Sequence, residues 1–183
     1  MFDTLSNQLT FARLVAIPIL CLLLVVPGSI SAWFAMFVFV GAAITDYFDG
    51  YYARKRAELT TLGRVLDPIA DKLLVVATLV ILVFNEHVNA LTIVPALIII
   101  LREVAISGLR EFMAERSLVI AVSKLAKWKT GVQMTAIPFL IVGDYAPSFI
   151  PAIWIGALLL WAAAVLTVIT AWDYWRASEE HII

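Results

Sequence analysis

The sequence predicts an all-α integral membrane protein with six transmembrane helices and both termini in the cytoplasm. Three observations carry that reading. Of 183 residues, 63% are hydrophobic and only 15% charged, with a mean hydropathy of +0.98, whereas soluble domains have about 45–50% apolar and about 25% charged residues. Apolar runs close to the length that crosses a hydrocarbon core of about 30 Å recur along the whole chain. Positive charge is one-sided: the segments 27–32, 85–90 and 144–150 contain no Lys or Arg, so all 13 basic residues lie on the other side or in helix ends facing it. The positive-inside rule assigns that side to the cytoplasm. The length allows a single membrane domain over 1–183, with no room for a separate soluble one. The net charge of −1 says nothing about partners, and the single cysteine, Cys21, excludes an intrachain disulfide.

The elements follow in order. Residues 1–8 are short and polar, and the first apolar run, punctuated by Asn7, Thr10 and Arg13, continues to Val26. Arg13 is expected to snorkel to the interface or to turn toward a site. A signal peptide is the rival reading, since the apolar core from Leu14 is followed by GSISA; but the only positive charge ahead of that core is Arg13, and Asp3 stands in the wrong place. Pro27–Ala32 is a tight uncharged link. The second apolar run, Trp33 to Thr45, continues as one helix to Arg56, Glu58–Leu62 forms a turn, and Leu66–Phe84 is the third span. After a link at Asn85–Ala90, the fourth span runs from Leu91 past Arg102 to about Ala114, with Pro95 a candidate kink. Residues 115–127 are polar and then basic, a surface excursion. The fifth span runs from Trp128 to Val142 and the sixth from Pro151 to Trp172. Trp33, Trp154, Trp172, Tyr174 and Trp175 fall near span ends, where belt aromatics sit.

The stretch from Asp46 to Asp71 sets four carboxylates, Asp46, Asp49, Asp67 and Asp71, between two apolar runs. Acids beside membrane-like sequence are expensive and usually serve a site. At about 100° per residue, Asp46, Asp49, Gly50 and Ala53 share one helix face, and Asp67 and Asp71 share a face of the next helix with Gly63 a turn earlier. Two helices joined by a short connection are expected to be antiparallel neighbours, so the four acids can converge. Gly50 and Ala53 leave a flat strip on which a ligand could lie. Hard oxygen donors with no Cys or His nearby suit Mg²⁺ or Mn²⁺, and four of them suit two ions. The rival reading makes Asp67–Pro68 a helix N-cap and Asp46 and Asp49 solvated acids balanced by Arg54, Lys55 and Arg56.

A second constellation is basic. Arg102 and Arg110 sit in an otherwise apolar or acidic helix, and Lys127, Lys129 and Thr130 open the fifth span, where together they could hold a phosphomonoester. A structural ion pair with Glu103, seven residues away on the same face, is the rival for Arg110. The ordinary cytoplasmic excess of positive charge accounts for Arg116 and Lys124.

Asp46, Asp49, Gly50, Ala53, Arg54, Gly63, Asp67 and Asp71 together fit D-x2-D-G-x2-A-R-x8-G-x3-D-x3-D, which resembles the signature of the CDP-alcohol phosphotransferase family, integral membrane enzymes of phospholipid synthesis. The N-x-L-T-x2-R pattern at Asn7–Arg13 belongs to the same resemblance, with Ser6 where a proline is expected. REVAISGLRE at Arg102–Glu111 and KWKT at Lys127–Thr130 are similar to the bacterial phosphatidylglycerophosphate synthases within it. The resemblance implies transfer of the phosphatidyl group of CDP-diacylglycerol to sn-glycerol 3-phosphate. Asp46, Asp49 and Asp67 would be metal ligands, and Asp71 both a shared ligand and the base for the acceptor hydroxyl. Gly50, Ala53, Arg54, Gly63, Asn7 and Thr10 would hold CDP-diacylglycerol. Arg102, Arg110, Lys127, Lys129 and Thr130 would take the acceptor phosphate. It further implies a homodimer in a bacterial cytoplasmic membrane, with the site facing the cytoplasm; nucleic acid is not an expected partner. The runners-up are the cardiolipin, phosphatidylserine and phosphatidylinositol phosphate synthases, which share the signature. A metal or proton transporter is a rival from another class, but it would put its acids near the midplane rather than at span ends.

Overall fold

The computed structural model describes residues 5–56, 61–85, 90–116, 118 and 124–182, with side chains described at 7–45, 63, 66–85, 92–116, 118 and 125–179. All regular structure in these residues is helical: α1 (Leu5–Val25), α2 (Ser29–Arg56), α3 (Thr61–Phe84), α4 (Ala90–Glu115), α5 (Lys124–Val142) and α6 (Ala152–Ile182), with one 3-10 turn at Gly143–Tyr145. These are the six expected helices. The turn expected around Glu58 and most of the excursion at 117–123 lie outside the described residues.

Among the described residues three helices are long and apolar enough to cross a membrane, over Asn7–Val25, Thr92–Glu115 and Ala152–Glu179, and α2 holds a shorter apolar stretch at Ser29–Thr45. α3 and α5 carry charged side chains in their first turns, which shortens their apolar stretches to the turns beyond Lys72 and Lys129. Large apolar side chains such as Leu22, Phe37, Leu101, Leu158 and Val168 are exposed on the outer faces. In water such a surface would drive aggregation; in a bilayer it meets lipid. The protein is an all-helical membrane protein.

The core joins all six helices: Leu20 and Leu24 from α1, Ala35 and Phe39 from α2, Leu74 and Leu79 from α3, Ala96 and Ile99 from α4, Ile137 and Leu140 from α5, and Leu160 and Ala163 from α6. α1 packs against α2 and α3, α5 against α2 and α6, and α4 against α6. Among the described residues α2 and α3 touch directly but sparsely, and α1 packs against both of them. α3 also meets α4 and α5 only sparsely, and a cavity opens between them.

Helix direction alternates. The ends of α1, α3 and α5 gather with the start of α2 around Leu24, Gly28, Asn85 and Ile141, where the Asn85 side-chain amide donates to the Leu24 carbonyl at 2.5 Å. There α1 turns into α2 through Gly28, whose φ of +138° suits glycine, while Ser31 Oγ donates to the carbonyls of Val26 and Gly28 at 2.6 and 2.9 Å. The starts of α1, α3 and α5 and the ends of α4 and α6 meet at the opposite end. α4 runs unbroken through Pro95.

α3 begins at Thr61, so Asp67 and Pro68 lie inside it rather than at its start. The N-cap reading of Asp67 therefore does not hold. A proline inside a free-standing helix costs about 3 kcal/mol; here the burial of Ala70, Leu74 and Val75 fixes the helix through it.

Candidate active site

The cavity between α3, α4 and α5 has a volume of about 500 Å³. α3 lines it with Asp67, Pro68, Asp71 and Lys72, α4 with Arg102, Glu103, Ile106, Ser107 and Arg110, and α5 with Ala126, Lys129 and Thr130. Each set repeats at three- and four-residue steps, the spacing that aligns side chains along one helix face. A deeper recess of about 40 Å³ reaches Gln133 and Met134 and is bordered by Asp71, Lys72, Glu103, Lys129 and Thr130. The side of the cavity on α3 carries two carboxylates, and α4 and α5 supply most of the cations.

The first turns of α1 close the α3 side. Asn7, Thr10 and Arg13 are buried, and the Thr10 hydroxyl donates to Asp67 Oδ1. Arg13, at 1% exposure, turns into the bundle rather than snorkelling outward. Gly63 is buried on α3 a turn before Asp67. Of the remaining acid-motif residues, Asp46, Asp49, Gly50, Ala53 and Arg54 lie on the last turns of α2, but their side chains fall outside the described residues.

The basic side is ordered by Glu103. Its Oε1 accepts from Lys129 Nζ and lies 3.5 Å from Arg102 Nη1. The Arg102 guanidinium also donates to Thr170 Oγ1 at 3.1 Å, tying α4 to α6. Glu103 thus takes Lys129 and Arg102 as partners and leaves Arg110, the partner its spacing suggested, to the cavity. Arg110 lies 5.9 Å from the centroid of the Tyr174 ring, a cation–π distance. Lys129 is buried, and the Thr130 hydroxyl donates to the Ala126 carbonyl at 3.1 Å. Lys127 is exposed and is not among the cavity-lining residues.

The structure therefore brings together Asp67, Asp71, Thr10, Arg102, Arg110, Lys129 and Thr130, and adds four residues that the sequence reading left without a role. Lys72 follows Asp71 by one residue, about 100° further round α3, so the periodicity of the acids gave no reason to include it. Glu103 entered only as a rival partner for Arg110. Ser107 carries no charge to mark it. Gln133 is buried with an Oε1 that has no partner among the described residues; the one signal for it is its four-residue step from Lys129.

The donor set can be tested for a divalent ion. Asp67 and Asp71 supply hard carboxylate oxygens one helical turn apart, the ligand type such ions prefer, and the Thr10 hydrogen bond orients the first in the manner of partners behind metal ligands. Among the described residues no three acidic, His or Cys side chains gather; the α2 acids, whose side chains are not described, are the remaining candidates. The residues present fit such an ion.

Comparison with known proteins shows the family. The family model for CDP-alcohol phosphatidyltransferase matches residues 3–169. A protein of Rickettsia bellii is 41% identical over 179 residues, covering 98% of this chain and 97% of its own. One of Rickettsia typhi is 42% identical over 177 residues (97% and 98%), and one of Cereibacter sphaeroides 38% identical over 214 residues (98% and 97%). All three are named CDP-diacylglycerol–glycerol-3-phosphate 3-phosphatidyltransferase. With the match covering most of its length, the chain belongs to the CDP-alcohol phosphatidyltransferase family.

Proposed function

We propose that this transferase moves the phosphatidyl group of CDP-diacylglycerol to sn-glycerol 3-phosphate, giving phosphatidylglycerophosphate and CMP. The observation that carries the reading is the cavity at one end of the bundle, in which Asp67 and Asp71 face Arg110 and the Glu103–Lys129 pair. A reaction between a nucleotide-activated phosphate and a second phosphate needs both charges in one place, and the relatives named above support glycerol 3-phosphate as the second substrate.

Asp46, Asp49 and Asp67 would hold divalent ions, Mg²⁺ or Mn²⁺, two of which would suit four carboxylates, with Asp71 as a further ligand. Bound there, such ions neutralise the pyrophosphate and stabilise the departing CMP. Gly50 and Ala53 let the cytidine monophosphate lie close to α2, with Arg54, Gly63, Asn7 and Thr10 on the same side. Arg110, with Lys129, Thr130, Arg102 and Lys127, draws in the acceptor phosphate. Asp71 accepts the proton of the acceptor hydroxyl as its oxygen bonds to the phosphatidyl phosphorus and the bond from that phosphorus to the CMP oxygen breaks. All six helices span a bacterial cytoplasmic membrane with both termini and the cavity in the cytoplasm, and two copies form a homodimer. The charge distribution supports the orientation and the family resemblance supports the dimer.

The test is release of CMP from radiolabelled CDP-diacylglycerol by purified protein offered glycerol 3-phosphate, serine, inositol phosphate or phosphatidylglycerol in turn. Label appearing in phosphatidylglycerophosphate with the first alone supports the reading, and preference for another acceptor replaces it with that branch of the family. Asp71→Asn is expected to lower turnover by about two to four orders of magnitude, whereas Glu58→Gln leaves it within about twofold of the parent rate. Near-parental turnover in Asp71→Asn would remove Asp71 from the role of base.

A further inference from the structure

Glu103 does something that holding cations does not require. Both of its described contacts, to Lys129 and to Arg102, fall on the same oxygen, Oε1. Oε2 has no partner among the described residues, and the side chain is only 14% exposed while lining both the cavity and its recess. A carboxylate pinned through one oxygen by two cations has little freedom to turn, so its second oxygen is a fixed acceptor in a polar space. Asp71 borders the same recess.

We infer that Oε2 of Glu103 accepts a hydrogen bond from a hydroxyl of the acceptor that does not react, making Glu103 a specificity-determining residue for polyol phosphomonoesters. This rests on the acceptor reading given above. The chemistry is selective in two ways. A lone carboxylate oxygen repels a phosphate and attracts a hydroxyl, so it sets which end of the acceptor enters the recess. The phosphate end is then drawn toward Arg110 and the cations named with it above, with Lys72 lining the same cavity. The attacking hydroxyl then lies toward Asp71 and its neighbour toward Glu103. A site built to bond a hydroxyl disfavours an analogue that lacks it, because the bound analogue displaces water from the carboxylate oxygen and offers no donor in return.

The test compares glycerol 3-phosphate with 3-hydroxypropyl phosphate, which keeps the phosphate and the reacting hydroxyl but lacks the middle one, using the full-length protein and labelled CDP-diacylglycerol. The parent protein is expected to prefer glycerol 3-phosphate by about ten- to hundredfold in kcat/KM, the range for a hydrogen bond to a charged group. Glu103→Met, which removes both oxygens, is expected to bring that ratio to about twofold or less. Glu103→Gln, which keeps the shape but makes the bond neutral, is expected to give an intermediate ratio. Both acceptors are assayed on one preparation, so loss of folded protein cancels in the ratio, and a purely structural role would lower both rates together. A parent ratio near one, an unchanged ratio in both variants, or both variants inactive with both acceptors would each overturn the proposal. A parent protein that used neither acceptor, yet released CMP with serine or inositol phosphate, would instead overturn the acceptor reading beneath it.

Discussion

At the scale of single residues, the contact between Thr10 and Asp67 is the most exposed to test. The hydroxyl donates to Asp67 across 57 positions of sequence, and Thr10 is buried at 1% exposure. Thr10→Val keeps the shape and removes the donor. If Asp67 is a metal ligand, the loss of the group that orients it should weaken metal affinity by about 10–100-fold, with most of the activity returning as Mg²⁺ or Mn²⁺ is raised. Activity measured against metal concentration checks this, and a curve that superposes on the parent's would mean that Thr10 serves only packing. Thr10 also marks a limit of the sequence. Its resemblance to the family motif put it on the donor side, but no periodicity in α1 announces that it faces a carboxylate on α3. Local spacing tells which residues share a face; it does not tell which face of which other helix lies opposite. Spacing offers Glu103 to Arg110 for the same reason, since its actual partner Lys129 sits on α5.

At the scale of elements, the six helices were legible because each apolar run is bounded by charge, glycine or proline; the structure moves most of their ends by only a few residues, but α6 runs on to Ile182, ten residues past the expected Trp172. Which helices touch was not legible. The motif helices α2 and α3 have α1 packed against both, and α6, which had no distinguishing motif, supplies Thr170 to Arg102. α6 also packs against α5 through Gly156, a close approach that composition alone does not reveal. A Cβ built there would stand 2.7 Å from Leu140 Cγ and 3.2 Å from the Leu140 backbone nitrogen. The side chain can turn away, but the backbone cannot without moving α5. Gly156→Ala is therefore expected to cost about 1–3 kcal/mol through overpacking and to lower the thermal midpoint in detergent. Gly41→Ala serves as the control, because a Cβ there meets nothing within 4 Å. A midpoint for Gly156→Ala equal to that of the control would show that the α5–α6 seam yields more easily than its geometry indicates.

At the scale of the whole molecule, the alternation of helix direction and the one-sided charge have to agree. The cavity lies at the end where α1, α3 and α5 begin and α4 and α6 finish, and the site's basic residues gather there. The opposite end, around Gly28 and Tyr145, belongs to the links that contain no Lys or Arg. By the positive-inside rule a bundle of this charge pattern is expected to insert with the cavity in the cytoplasm, the orientation proposed above. α6 has 31 residues, about 46 Å of helix at 1.5 Å per residue, so its last turns extend past a hydrocarbon core of about 30 Å. Ala177 lies on those turns and is exposed, as are Ser29 and Ser148 at the other end. With Cys21 replaced by serine, single cysteines at Ser29, Ser148 and Ala177 report the arrangement in intact cells treated with a membrane-impermeant maleimide. Cysteines at 29 and 148 are expected to label from outside, and the one at 177 only after the membrane is opened. The reverse pattern would turn the site outward, away from the compartment that the proposed reaction requires. Labelling of all three from one side would mean that the two ends of the bundle do not lie across a membrane, and the lipid-facing role of its apolar exterior would fall with it.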